Sequence, residues 1–178
     1  LSAGFDVSTA SYTQNFATTA TGENDPRAVA FNADGTTMFI VGVQSDSVIE
    51  YALSTAYDIS TASLVDSFSV SAQDINPNAL TFNADGTQMF IVGYTSNAVF
   101  KYTLSTGFDV STASYSGVSF SLAAQDTFTT GIDFNVDGTK MFIVGTQNDS
   151  VYQYSLNGSA STVPAGRALS TTSMLLEG

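Results

Sequence analysis

The chain has 178 residues, 43% of them apolar, which is enough to build a buried core, and its 16 acidic against four basic side chains leave a net charge of −12 that repels nucleic acid and anionic membrane surfaces. There is no cysteine and no histidine, so disulfide frameworks, thiolate metal sites and imidazole or thiol catalysis are excluded. The apolar runs of four or five residues are far too short for a membrane span.

In chain order, the sequence begins on Leu1-Ser2 and a Phe5-Asp6-Val7-Ser8-Thr9-Ala10-Ser11 phrase that returns at Tyr57 to Ser63 and Phe108 to Ser114. Residues 12–18 follow as a strand. Residues 27–32 make a second, ending on Phe31, and Ala33-Asp34-Gly35 supplies a tight turn in which Gly tolerates positive φ and Asp bonds its local backbone. Residues 36–43 contain the unbroken Met38-Phe39-Ile40-Val41 block expected of a strand covered on both faces. A polar turn at residues 44–46 leads to the strand 47–53, where Ile49, Tyr51 and Leu53 share one face. After the 54–63 connection, residues 64–70 form the next strand.

This pattern repeats every 51 to 52 residues: Phe31-Asn32-Ala33-Asp34-Gly35-Thr36 returns at Phe82 to Thr87 and again at Phe134 to Thr139. Such a period means a solenoid, propeller or array. Four antiparallel strands per unit, in units too small to hide both sheet faces, predict an all-β propeller-type repeat of three four-stranded blades. Twelve strands are expected, shifted in phase: residues 12–18 act as a lone fourth strand, and residues 131–156 supply three strands without a fourth. A blade domain over residues 1–157 (repeats about 1–52, 53–103 and 104–155) is then followed by a linker and tail at 158–178, read as a frayed or continuing end or as a donated strand.

The Asn-Ala-Asp-Gly-Thr-x-Met-Phe-Ile-Val-Gly pattern, with Asp46-Ser47-Val48 or Asp149-Ser150-Val151 and an x-x-Tyr-x-Leu strand after it, resembles the YVTN-type and WD-repeat-like β-propellers. The Phe/Tyr-Asp-Val/Ile-Ser-Thr-Ala-Ser insert resembles tandem repeats of large surface or virion proteins from aquatic bacteria and phages. The resemblance implies a split blade where the termini meet, and it places the connection before each first strand on one face with the turns holding Asp46 and Asp149. Three blades fall below the usual four to eight, so the open blade edges predict pairing between copies of the chain into a ring or filament.

Candidate chemistry is sparse. Asp133-Phe134-Asn135-Val136-Asp137-Gly138 matches half of a calcium loop, but Val144 stands where a bidentate Glu is required, and a hairpin turn explains the match. Asp6, Asp58 and Asp109 read as Asx-type caps, and Phe5, Tyr57 and Phe108 as plugs pinning the loop onto the blade. Glu23, Asp25, Asp46, Asp74, Asp126 and Asp149 form a possible acidic rim, either solvated or open to a cation or polar ligand. Asn148 and Asn157 sit in N-linked glycosylation sequons. No catalytic, cofactor-binding or metal residue is assigned and no cofactor is expected.

Near-identical blades argue against an active site, which needs different groups around its substrate. The leading expectation is therefore a non-enzymatic structural protein that self-assembles through Tyr12, Phe16 and the Met174, Leu175, Leu176 tail. A charged fraction of 11%, against about 25% in ordinary domains, points to an extracellular, cell-surface or virion location. The alternative is an adhesive propeller binding glycan or a cell-surface protein at its acidic rim. A metal-dependent lactonase-like hydrolase using Asp74, Asp126 and Asp133 has the least support from the residues.

Overall fold

A computed structural model describes residues 7–156, which form three antiparallel sheets in chain order, linked by short loops and single 3-10 turns. The first blade comprises β1 (Pro26–Phe31), β2 (Thr37–Gly42), β3 (Ser47–Leu53) and β4 (Ala62–Ser69), and the second β5 (Pro77–Phe82), β6 (Gln88–Gly93), β7 (Ala98–Leu104) and β8 (Ala113–Ser121). The third has β9 (Thr129–Phe134), β10 (Lys140–Gly145) and β11 (Ser150–Ser155). Each sheet is a simple meander, and the strand orders are 1-2-3-4, 5-6-7-8 and 9-10-11. This is the expected propeller architecture.

The turn chemistry accounts for the meander. Asp34, Asp85 and Asp137 each accept from the backbone N–H and hydroxyl of the Thr two residues on, and Gly35, Gly86 and Gly138 follow with φ of 74°, 72° and 66°. These bonds hold the three carboxyls below the usual range. The calcium-like match at Asp133 is thus part of a strand and hairpin. Asp58 and Asp109 cap Ser60 and Ser111 in the same way, while the Tyr57 and Phe108 rings cover Gly35 and Gly86 as plugs. Asp6 and Phe5 lie outside the described residues.

The core lies between sheets. Phe39, Val41 and Val48 of the first blade are buried with Leu80, Met89, Tyr102 and Val110 of the second, and Val92 and Val99 of the second with Met141 and Ile143 of the third. One ring contact recurs at each step: Phe16 meets Tyr51 edge-on with centroids 5.0 Å apart, Phe68 meets Tyr102 at 5.6 Å, and Phe120 meets Tyr154 at 5.0 Å. Such pairs contribute about 0.5–1.5 kcal/mol beyond their buried area. Each Tyr hydroxyl bonds the loop before its own blade, at Thr21, Gln73 and Gln125 respectively.

Residues 12–18 correct one expectation. They pack on the first blade through Phe16 and through the Gln14 amide, which donates to Asp58 at 2.7 Å, yet they form no strand. A strand needs a neighbour to take its backbone hydrogen bonds, and no strand of the described residues lies beside them. Among the described residues eleven strands are therefore present rather than twelve. The tail with Met174, Leu175 and Leu176 lies outside the described residues.

A buried carboxylate ties each blade together. Glu23 accepts from the N–H groups of Asp25 (2.6 Å) and Ser45 (3.0 Å) and from the Ser45 hydroxyl (2.7 Å). Asp74 accepts from Asn76 (2.6 Å) and Ser96 (2.7 Å), and Asp126 from Phe128 (2.7 Å), Asn148 (3.1 Å) and the Tyr152 hydroxyl (3.3 Å). Each bond set joins the loop entering the blade to the turn between its second and third full strands. Gly42, Gly93 and Gly145 end the second strand beside these acids, and a Cβ on any of them would overlap the carboxyl group.

Two outcomes follow for stability. Gly93→Ala should cost about 1–3 kcal/mol by overpacking, and Asp74→Ala about 1–3 kcal/mol by stranding two part-buried N–H groups. The double variant should lose less than the sum in urea melts, because removing the carboxyl makes room for the methyl. Glu50 behaves oppositely to these acids with pH. Burial, with the charges of Asp109 and Asp66 added, raises its pKa above the ordinary value despite a hydrogen bond from the Val110 N–H. The folded chain therefore holds this proton more tightly, and stability is lost as pH rises from the unfolded Glu value through the raised folded one. Glu50→Gln should be more stable than the parent at pH 7, with the gain fading by about pH 4 in paired melts.

Candidate functional site

The six acids expected on one rim divide by environment. Glu23, Asp74 and Asp126 are buried at 0%, 4% and 1% exposure and saturated by the bonds above, so they are anchors and not open ligands. For Glu23 and Asp126, burial pushes the carboxyl up, but the hydroxyl and backbone N–H donors together outweigh it, and both end below the usual range. Asp25 is exposed and paired with Arg27 at 2.7 Å. Asp149 is exposed in the last turn.

Asp46 differs from all of these. It ends the turn between β2 and β3 with φ of 48°, in the left-handed conformation that Asn97 (50°) and Asp149 (48°) share in the other blades. Its carbonyl accepts from the N–H of the fully buried Val70 at 2.9 Å, which locks the turn against the end of β4. Asn97 makes the same backbone bond to Leu122 at 2.7 Å, and its side-chain amide donates to the carbonyls of Thr127 and Tyr94. Asp46 places a carboxyl at that position, and as a carboxylate it has no proton to donate. Its Oδ1 is buried without a hydrogen-bond partner among the described residues. Burial, followed by the charges of Asp74 and Glu23, pushes the Asp46 carboxyl up.

This arrangement can handle a proton. A carboxyl that lacks a stabilising donor and feels two nearby anions holds its proton more tightly than an ordinary one. No sequence rule distinguishes Asp46 from Asp149, because the difference is one of burial: the Asp46 Oδ1 is enclosed, whereas Asp149 is exposed. Among the described residues no group of three or more Asp or Glu side chains is placed to hold a metal ion, and Asp74, Asp126 and Asp133 do not converge on one. Of the glycosylation candidates, Asn148 uses its side-chain amide to bond the Gln125 carbonyl at 2.7 Å, and Asn157 lies outside the described residues.

No protein-family model matches the sequence, and no curated protein matches it significantly. Solved structures do share the fold. A candidate 6-phosphogluconolactonase from Bacteroides uniformis aligns with a TM-score of 0.58 at 14% identity, covering 76% of this chain and 38% of that one. The periplasmic gluconolactonase PpgL of Pseudomonas aeruginosa gives 0.53 at 17% identity, covering 73% and 35%. The Cps50 (Swd1) β-propeller domain of Myceliophteria thermophila gives 0.55 at 11%, covering 74% and 40%. The chain thus spans between a third and two-fifths of the length of these proteins.

At these identities the likeness establishes the fold. It also overturns the expectation of a non-enzymatic, self-assembling structural protein, because solved propellers similar to this chain include proteins named as lactonases. The physical reason is visible in the blades. They repeat in backbone but not in chemistry: Asp46, Asn97 and Asp149 occupy one turn position, and Glu50, Lys101 and Gln153 one strand position. Near-identity of the repeats therefore gives no ground for excluding an enzyme, and the chain belongs to the β-propeller fold.

Proposed function

We propose that this chain contributes to a lactone-hydrolysing β-propeller in which Asp46 is the proton-handling carboxyl. The observation that carries this reading is the Asp46 Oδ1, buried and unpartnered among the described residues, in a carboxyl raised by burial and by the charges of Asp74 and Glu23. The lactonase names among its structural neighbours support the reaction class.

In this reading the Asp46 carboxylate accepts a proton from water as its oxygen attacks the lactone carbonyl. The ring C–O bond then breaks, the proton passes to the leaving alkoxide, and the product is a hydroxy acid. A raised pKa suits both halves of that exchange, since the group must first accept and then release one proton. Charge selects the substrate. A chain of net charge −12 repels a phosphorylated lactone and favours an uncharged one, and it helps expel the anionic product.

Glucono-δ-lactone and 6-phosphogluconolactone are the probes, with acid release followed in a pH-stat. The neutral lactone should open faster than in buffer alone, and faster than the phosphorylated one. Asp46→Asn should lower that rate by roughly 10²–10⁴-fold while raising the melting temperature at pH 7, as expected when a carboxyl with a raised pKa is made neutral. The parent's rate should rise with pH through the raised Asp46 pKa, because the base form is the active one. No turnover of either lactone, or an undiminished rate in Asp46→Asn, would overturn the proposal.

A further inference from the structure

Corresponding faces of the three blades are not equally covered. At the first interface, the connection between β7 and β8 closes the gap. Val110 is fully buried against Phe39, Val48 and Met89, and its N–H donates to Glu50 at 2.9 Å. The Phe108 ring lies over Gly86 and against Phe39 and Phe82.

At the second interface the same surface recurs. Phe90, Val99, Phe120, Phe134, Met141 and Tyr154 stand where the first has Phe39, Val48, Phe68, Phe82, Met89 and Tyr102, and they line an open groove of about 1110 Å³. Phe120 and Val118 are 46% and 55% exposed there. Gly138 is the counterpart of Gly86, yet among the described residues nothing lies within 4 Å of where its Cβ would be.

Charge distinguishes the two interfaces. At the first, the Glu50 carboxylate opposes Asp109 of the segment and Asp66 of β4. At the second, Lys101 replaces Glu50 and Val118 replaces Asp66 in the matching strand register. An ammonium cannot accept a backbone N–H but attracts a carboxylate. Asp85 and Asp137 also line this groove, as their counterparts Asp34 and Asp85 flank the first interface, bound to their own Thr residues; Asp133 is the one added acid.

We propose that the groove between the second and third blades is a docking site for a Phe-Asp-Val-Ser-Thr connection of this repeat type, brought by a partner that supplies an outer strand to the third blade. The segment would seat its Phe over Gly138 and its Val among Phe90, Val99 and Met141. Lys101 would attract its Asp, in place of the backbone N–H bond that Glu50 accepts at the first interface. The proposal is independent of the hydrolysis reading.

The test uses a fluorescein-labelled peptide with the sequence of residues 104–115 and the full chain, read by fluorescence anisotropy. Saturable binding is expected, and it should weaken at least about tenfold, or 1.4 kcal/mol, when the peptide's Phe and Val become Ser. Val118→Arg, at an exposed position, should block the groove without lowering the melting temperature. Lys101→Glu should weaken the parent peptide more than a peptide whose Asp is Asn, whereas Lys101→Met should discriminate little between them. No saturable binding, or binding indifferent to Val118→Arg and to the peptide changes, overturns the proposal. So does a concentration-dependent dimer that the peptide fails to dissociate, which would assign the groove to residues 5–9 of a second copy.

Discussion

A carboxylate buried where the chain enters each blade is the constraint on which the rest of the structure depends. Glu23, Asp74 and Asp126 each gather N–H donors from two loops that are about twenty residues apart in sequence. A buried charge is tolerated only when it is so satisfied, and removing either side of the arrangement leaves polar groups stranded. The same contact dictates Gly at the end of the second strand, since any side chain there would fill the carboxyl's space. It also fixes the turn that follows, and with it the left-handed residues Asp46, Asn97 and Asp149.

Among the described residues, those anchors surround the one buried carboxyl oxygen that has no hydrogen-bond partner. Asp46 sits between two of them, and the field that Glu23 and Asp74 impose on it is a by-product of blade construction. Asn97 answers the same backbone geometry with an amide that can donate, which makes the second blade's turn electrostatically quiet. A repeat architecture therefore holds equivalent positions in equivalent places while single substitutions give each a different chemistry. That division of labour reconciles a repetitive sequence with the lactonase names among its structural neighbours.

Packing between blades follows a second rule, in which each sheet lends its outer Phe to the next sheet's Tyr. The rule holds at Tyr51, Tyr102 and Tyr154, even though the first Phe comes from a segment that forms no strand. Side-chain burial is thus less demanding than the backbone ladder: Phe16 can pack on a blade alone, whereas a β-strand requires a neighbouring strand. The consequence is a gradient of cover along the chain. Val48 is fully buried, Val99 nearly so, and Val151 is 68% exposed, although all three occupy the same place in the repeat.

The repeat, the strand order within each blade, the Asp-Gly turns and the Asx caps at Asp58 and Asp109 are legible in the residues alone, because these depend on local dihedral preference and two-residue alternation. The sequence also showed that the Tyr57 and Phe108 rings would act as plugs. Three things were decided only by tertiary structure. Glu23, Asp74 and Asp126 became buried anchors because their partners lie in distant turns that sequence spacing does not bring together. Residues 12–18 form no strand because no strand of the described residues stands beside them. Asp46 and Asp149, alike in sequence, came to differ because the Asp46 Oδ1 is enclosed whereas Asp149 is exposed: burial belongs to the assembled blades, not to any one repeat.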